Sequence, residues 1–271
     1  PKKTGLFALF LVVEMMVFAT ITLSPYFSMG TSLTVHAALT AILLVVALLL
    51  RRSGKGKSYW PVCYAFFVAA AAVLVSLLFA DELLGLFELS IRTPQGIAVA
   101  KFSESLLRVV PILVLMPVMG LGWRSLYLKK GRIGVWLPVG IAAWIAFPVI
   151  AYLLLPSRAG VLEKLLPLTP WILLFVFSNA FMEELLFRGL FLKPYGAFLG
   201  RTVSNILAAV VFALMHTQVT YAPEMLQFLA IVILLSLAWG YLIQRTDSLW
   251  GAVLWHAAGD CLVIFPIFAS M

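Results

Sequence analysis

The stretch YWPVCYAFFVAAAAVLVSLLFA, residues 59–80, contains no charged side chain. As an α-helix that rises about 1.5 Å per residue, it is long enough to cross a hydrocarbon layer of about 30 Å. Apolar runs of similar length recur along the whole chain. We interpret nine of them as transmembrane helices, at about residues 5–25, 32–50, 59–80, 107–123, 134–155, 171–192, 203–219, 226–243 and 248–268.

The composition indicates the same fold class. Hydrophobic residues make up 63% of the 271 residues, charged residues make up 11%, and the mean hydropathy is +1.09. A soluble domain of this length cannot bury so much apolar surface. The sequence therefore predicts an all-α polytopic membrane protein, with one domain over residues 1–271 and about eight or nine transmembrane helices. Cys63 and Cys261 both lie in apolar runs, so the cysteines do not indicate a disulfide framework.

The net charge of +8 comes largely from loops and helix ends. Lysine and arginine are concentrated in two short loops, RRSGKGK (51–57) and RSLYLKKGR (124–132), and next to other apolar runs. By the positive-inside rule this alternation predicts a cytoplasmic N-terminus, a C-terminus outside, and cytoplasmic access to a cavity; it does not indicate nucleic-acid binding. The stretch 81–105 is too polar to span, and we expect it to lie along the outer interface.

One apolar run carries three charged residues close together. The segment FMEELLFRGLF (181–191) contains Glu183, Glu184 and Arg188. Charges at membrane depth are costly, and such residues usually face a cavity and carry function. Glu184 and Arg188 are four residues apart and share a helix face, which predicts a structural ion pair. Glu183 points about 100° away, on the face that also holds Asn179, and is free to present its carboxylate to a cavity.

Two later runs contribute histidines. The segment FALMH places Phe212 one turn before His216, and Asn205 lies three turns earlier near the same face. The segment HAAGD places His256 and Asp260 one turn apart, with only small residues between them. Small residues allow a neighbouring helix or a substrate to approach closely. We expect His216, His256 and Asp260 to be catalytic residues. We expect Phe212 and Asn205 to shape the site around them.

Together these side chains indicate hydrolysis of an amide bond. Helix lengths place Glu183, His216 and His256 at similar depth in the membrane, so we expect them to meet. A carboxylate and an imidazole can deprotonate a water molecule between them. A second imidazole, His256 with Asp260 beside it, can stabilise the oxyanion that forms. We expect Asp260 to remain charged and to orient His256 as an imidazolium, because an ionised carboxylate cannot itself donate to an oxyanion.

The segments EELLFR, FALMH and HAAGD resemble, in this order, the motifs EExxxR, FxxxH and HxxxN/D of the type II CAAX prenyl endopeptidases and their prokaryotic relatives. These belong to the CPBP (Abi) superfamily of intramembrane glutamic proteases, and the resemblance covers about residues 171–268. It implies that Glu183 activates water with His216, and that His256 and Asp260 stabilise the oxyanion. It also implies a helical bundle around a polar, conical cavity in a prokaryotic cytoplasmic membrane, with no cofactor.

The same resemblance implies a membrane-tethered or lipid-anchored substrate that is cut near its C-terminus. Prenyl-protein proteases of this family usually have asparagine at the last motif position, where this chain has Asp260. This difference leaves a prenylated protein and another membrane-tethered peptide as equally open substrate classes.

Two alternatives remain open at the level of sequence. Two histidines and a carboxylate form a catalytic zinc set, which would be His216, His256 and Glu183, although the chain lacks an HExxH motif. A receptor, an immunity protein or a transporter could use the same polar cavity without catalysis, although we detect no inverted repeat. We assign Glu14 no chemistry and expect it to form a hydrogen bond with a neighbouring helix.

Overall fold

The computed structural model describes residues 2–22, 26, 28–219 and 224–271. Within these residues the chain is helical and contains no strand, which confirms the predicted fold class. The helices are α1 (Lys2–Thr22), α2 (Met29–Arg52), α3 (Trp60–Gly85), α4 (Pro94–Val118), α5 (Ile133–Leu153), α6 (Val161–Leu165), α7 (Thr169–Glu183), α8 (Leu192–Leu199), α9 (Arg201–Met215), α10 (Met225–Thr246) and α11 (Trp250–Ser270).

Length and hydropathy identify the parts of the described chain that can cross a membrane. Six helical stretches are long and apolar enough. They are Met29–Arg52, Lys57–Gly85, Ile133–Leu153, Val161–Leu199, Met225–Thr246 and Trp250–Ser270. The protein is therefore an integral membrane protein that crosses the bilayer several times. α9 is shorter than predicted, because it ends at Met215 instead of residue 219.

The stretch 81–105 is divided between two helices and the connection that joins them, so the expectation that all of it lies along an interface is wrong. α3 continues to Gly85, and a short connection leads directly into α4, where the Thr93 side chain caps the helix by accepting a hydrogen bond from Gly96 N at 3.1 Å. From Pro94 onward the chain is one helix of 25 residues. Its charged residues are partly buried inside the bundle instead of lying along an interface (Lys101, Glu104, Arg108).

The helices pack into one bundle through apolar contacts. α11 packs against α5 and α7, α9 packs against α10, and α4 lies between α3 and α7. α1 contacts α8, where the rings of Phe10 and Tyr195 stack at 5.1 Å. The Tyr195 hydroxyl donates to Glu14 Oε2 at 2.6 Å, which confirms that Glu14 bonds to a neighbouring helix. A buried carboxylate requires such a partner.

The basic segments lie together at one end of the bundle, which we call the basic end. It comprises the loop 51–57, the loop 119–132, the helix ends around Lys193 and Arg201, and the connection 245–249. Arg51 contacts the Met119 sulphur at 3.0 Å, Lys193 Nζ donates to Arg124 O, and Arg201 donates to Gln244 O. The predicted alternation of basic and other loops is therefore confirmed in space.

Backbone hydrogen bonds join the loops of the basic end. Arg132 N donates to Thr246 O at 2.8 Å, and Leu249 N donates to Tyr127 O at 3.0 Å. Leu126 and Leu249 are fully buried beneath these contacts. The opposite end carries the connections around residues 86–93 and 154–168, together with residues 219 and 224.

Candidate active site

A change in helix type separates the two adjacent glutamates. α7 ends at Glu183, and Glu184–Gly189 forms a π-helical turn in which Leu190 N donates to Leu185 O at 3.1 Å. Such turns are rare and frequently lie at functional sites. The wider turn still lets Glu184 and Arg188 meet, while Glu183 faces a cavity.

Glu184 is the more deeply bound of the two glutamates. It is fully buried, and its Oε1 accepts hydrogen bonds from Arg188 Nη1 and His256 Nδ1, each at 2.8 Å. Arg188 is also fully buried, donates to Ser236 Oγ, and lies 4.2 Å from the centre of the Phe212 ring. The predicted pair of Glu184 and Arg188 is confirmed. The bond from Glu184 to His256 was not predicted.

His256 lies at the centre of the site. A carboxylate can only accept, so the bond to Glu184 means that Nδ1 of His256 carries a proton. On the other side of the ring, Nε2 lies 3.4 Å from Glu183 Oε2 and 3.5 Å from Asp260 Oδ1. The Trp239 ring stacks on the imidazole at 4.0 Å and fixes its plane. Three carboxylates therefore surround one imidazole.

The hydrogen bond of Asp260 differs from the one that the sequence predicts. Its Oδ2 accepts a hydrogen bond from Asn179 Nδ2 at 3.0 Å. The short bond that orients the His256 imidazole comes from Glu184, and Asp260 lies beside the opposite nitrogen. The expectation that Asp260 orients His256 is thus corrected: Glu184 orients the ring, while Asp260 lies within ion-pair distance of its second nitrogen.

His216 follows the last residue of α9. Its Nδ1 lies 2.8 Å from the backbone oxygen of Phe212. Because a carbonyl oxygen only accepts, Nδ1 carries the proton, and Nε2 of a neutral His216 has a free lone pair. Phe212 contacts both histidine rings, at 4.5 Å to His216 and 5.8 Å to His256.

Asn205 is not brought to the site. Its Nδ2 donates to Leu237 O at 2.9 Å, which ties α9 to α10, and it lines neither of the two cavities that His216 lines. It lies about 16 Å along α9 from His216, because the two are eleven residues apart at about 1.5 Å per residue. The sequence-based expectation that Asn205 shapes the site is therefore wrong.

A cavity of about 330 Å³ connects the remaining predicted residues. Its lining includes Glu183, His216, His256, Asp260 and Asn179. Going along α11 away from the basic end, the lining continues through Val263 and Ile267. On α4 and α7, and in the segment after α9, it likewise runs toward the opposite end, to Lys101, Phe175 and Val219.

The direction of this cavity corrects one prediction. The sequence predicts that the cavity opens to the cytoplasm and that the basic loops lie on the cytoplasmic side. The cavity that Glu183 lines includes no residue of the basic loops and extends away from the basic end, so the two expectations do not hold together.

A second cavity of about 430 Å³ adjoins the first. The two share His216, His256 and Asp260. Most of the second cavity is lined by apolar side chains of α10 and α11. These three side chains therefore lie between a polar space and an apolar one.

Sequence reasoning missed several residues at the site. Trp239 and Ser236 belong to α10, which carries no recognisable motif. The charged residues of α4 had a signal, because they lie three and four residues apart on one helix face (Lys101, Glu104, Arg108). Charged residues that line a cavity and charged residues at a membrane interface give the same sequence pattern, so the sequence alone does not distinguish the two.

The zinc alternative finds no support in the arrangement of side chains. Within the described residues, no group of three or more His, Cys, Asp or Glu side chains is placed to hold a metal ion.

Comparison with known proteins agrees with the geometry. Residues 165–262 match the family model described as type II CAAX prenyl endopeptidase, Rce1-like. No curated protein and no solved structure matches the chain significantly. The matched segment contains all three motifs. Residues 165–262 therefore form a domain of the Rce1-like family of type II CAAX prenyl endopeptidases, and the protein is a membrane peptidase of the CAAX type.

Proposed function

We propose that this peptidase hydrolyses its substrate with water activated by Glu183 and His216. The observation that carries the proposal is the state of Glu183, which lines the cavity and makes no hydrogen bond to a described residue. Its Oε2 is buried and lies near His256 only at ion-pair distance. A carboxylate in this state is a strong acceptor for a water proton.

The reaction needs no covalent intermediate. The water oxygen attacks the carbonyl carbon of the scissile amide as its proton passes to Glu183, or to Nε2 of His216. The carbonyl oxygen becomes an oxyanion, which His256 stabilises by donating from Nε2. When the C–N bond breaks, the stored proton moves to the leaving amine. The products are one carboxylic acid and one amine.

A count of charges supports a protonated His256. The buried and partly buried charges near the cavity are four carboxylates (Glu104, Glu183, Glu184, Asp260) and three cations (Lys101, Arg108, Arg188). A proton on His256 brings the sum to zero, which a low-dielectric site favours. An imidazolium donates from both nitrogens, so Nε2 can serve the oxyanion while Nδ1 remains bound to Glu184.

The substrate is proposed to be a membrane-tethered protein or peptide. A prenylated protein fits the family, and the apolar cavity between α10 and α11 can receive the apolar part of such a substrate. The substrate reaches Glu183 from the end opposite the basic loops. If the basic end faces the cytoplasm, as the positive-inside rule predicts, this access is from outside.

The catalytic roles are tested by substitution. We expect Glu183→Gln and His216→Ala to lower turnover at least a hundredfold, the lower end of the effect of general acid–base groups. The assay follows cleavage of a fluorogenic prenylated CAAX-type peptide by purified protein in lipid vesicles. EDTA should leave the wild-type rate unchanged. Wild-type turnover in either variant would contradict the mechanism, and a rate lost in EDTA and restored by zinc would support the zinc alternative instead.

The direction of access is tested by cysteine labelling in intact cells, with Cys63 and Cys261 replaced by alanine. A cysteine at Leu86, an exposed residue of the opposite end, should react with an impermeant thiol reagent. A cysteine at Lys55, in the basic loop, should react only after the membrane is opened. The reverse pattern would place the cavity toward the cytoplasm.

A further inference from the structure

A charged triplet of α4 faces the catalytic cavity. Lys101 Nζ lies 2.6 Å from Glu104 Oε2, and Arg108 Nη2 lies 2.6 Å from Glu104 Oε1. All three side chains line the same cavity as Glu183. Their spacing of three and four residues puts them on one helix face, which we call the α4 triplet.

The α4 triplet carries one more cation than it needs for its own neutrality. Glu104 provides a single negative charge for both Lys101 and Arg108. An ammonium group has three donors, and within the described residues Lys101 uses one of them, on Glu104. The second cation of the triplet is balanced only by carboxylates elsewhere at the cavity, and charged side chains kept inside a membrane usually carry function. The free donors are suited to an anionic acceptor.

The space around the α4 triplet can hold part of a substrate. Besides the catalytic cavity, the triplet lines a further cavity of about 540 Å³ that reaches Asp81 and Ile91. Phe175 lines both spaces. The route from Glu183 therefore continues past Lys101 toward the opposite end of the bundle.

The positive charge of Lys101 also attracts the carboxylates of Glu183 and Asp260. If that were its whole task, Lys101 would affect the rate for every substrate alike. A role in recognition makes a different prediction, because only substrates with the matching anion would benefit from Lys101. The two roles can therefore be separated by changing the substrate.

We infer that Lys101, supported by Arg108, binds the free C-terminal carboxylate of the substrate. This inference rests on the proposed function and gives the substrate a direction. The apolar, anchored part occupies the cavity between α10 and α11, the scissile bond lies at Glu183, and the released fragment extends to the α4 triplet. A charge-assisted bond to a terminal carboxylate confines cleavage to a short distance from the C-terminus.

The test uses two prenylated CAAX-type peptides that are identical except for the C-terminus, which is a free carboxylate in one and a carboxamide in the other. Wild-type protein should cleave the carboxylate form with a kcat/KM roughly ten- to a hundredfold higher, the effect of one hydrogen bond to a charged group. Lys101→Met should bring the ratio of the two kcat/KM values close to one, whatever its effect on the rate common to both peptides. Lys101→Arg, which keeps the charge, should retain it.

Lys164→Met is the matched control. Lys164 lies at the same end of the bundle, but its ammonium donates to Ala269 O on the surface and does not line the cavity. This variant should keep the wild-type preference. Because the wild-type ratio is measured independently, the inference stays testable even if Lys101→Met does not fold.

Each contrary outcome has a distinct meaning. Equal cleavage of both peptides by wild-type protein, dependent on Glu183, would overturn the inference and leave the proposed function intact. A preference that persists in Lys101→Met would also overturn it. Cleavage of neither peptide would contradict the proposed function, and this inference with it.

Discussion

Glu183 and Glu184 are neighbours in the chain and differ in their burial and in their hydrogen-bond partners. Glu184 is fully buried, and one of its oxygens accepts from both Arg188 and His256. Glu183 faces a cavity and makes no hydrogen bond to a described residue. Helix geometry starts this difference, because adjacent helical residues point about 100° apart, and the side chains of Arg188 and His256 complete it. Two adjacent carboxylates can therefore have separate environments within one helical turn, and we propose that they have separate tasks, support and catalysis.

The supporting glutamate works through its partners. It holds the His256 ring by Nδ1, which leaves Nε2 directed toward Glu183 and Asp260. It also neutralises Arg188, whose guanidinium lies against Phe212. The proposed role of Glu183 in catalysis needs the opposite condition, because an oxygen that is already hydrogen-bonded is a weaker base.

The largest expected loss of stability comes from removing the Glu184 carboxylate, which binds Arg188 and His256. Glu184→Ala leaves Arg188 buried without its partner and releases His256. We expect a loss of about 3–5 kcal/mol in the free energy of unfolding, the usual cost of removing one member of a buried pair. A thermal melt in detergent measures it. Glu163→Ala, at an exposed site, is the control. A melting temperature equal to wild type would mean that Glu184 does not support the site.

A smaller effect should follow from Asp260→Asn, which keeps the side-chain shape and removes one of the three carboxylates around His256. We expect the variant to fold and bind substrate, with turnover lower by about tenfold, equivalent to about 1.4 kcal/mol in the barrier. Steady-state kinetics would separate kcat from KM. Asp247→Asn, at the basic end, serves as control. Full activity in Asp260→Asn would show that Asp260 acts as a neutral donor, as asparagine does.

Much of the fold and the core of the site could be predicted because they depend on local spacing. Four-residue spacing gave the pair of Glu184 and Arg188, and apolar periodicity gave the helices. Contacts between distant helices could not be read in this way. The bond from Glu184 to His256 depends on how α7 and α11 cross, and nothing in the local sequence encodes that crossing.

Errors arose where one pattern has two physical meanings. The charges of α4 looked like an interfacial segment, although a polar cavity inside the bundle satisfies charged side chains equally well. Asn205 lies near the same helix face as His216, but its distance along α9 carries it away from the cavity. The basic loops predict which end of the bundle faces the cytoplasm, but they do not indicate toward which end the cavity opens.

The melting temperature of Glu183→Gln shows most clearly whether Glu183 and Glu184 have separate tasks. If Glu183 is kept for catalysis and not for support, replacing its charge with an amide should cost no stability. We expect inactive protein that melts close to the wild-type temperature, because Glu183 makes no hydrogen bond to a described residue and His256 can release the proton that Glu183 helps to balance. A decrease as large as that of Glu184→Ala would contradict the account, since it would show that both glutamates hold the structure together.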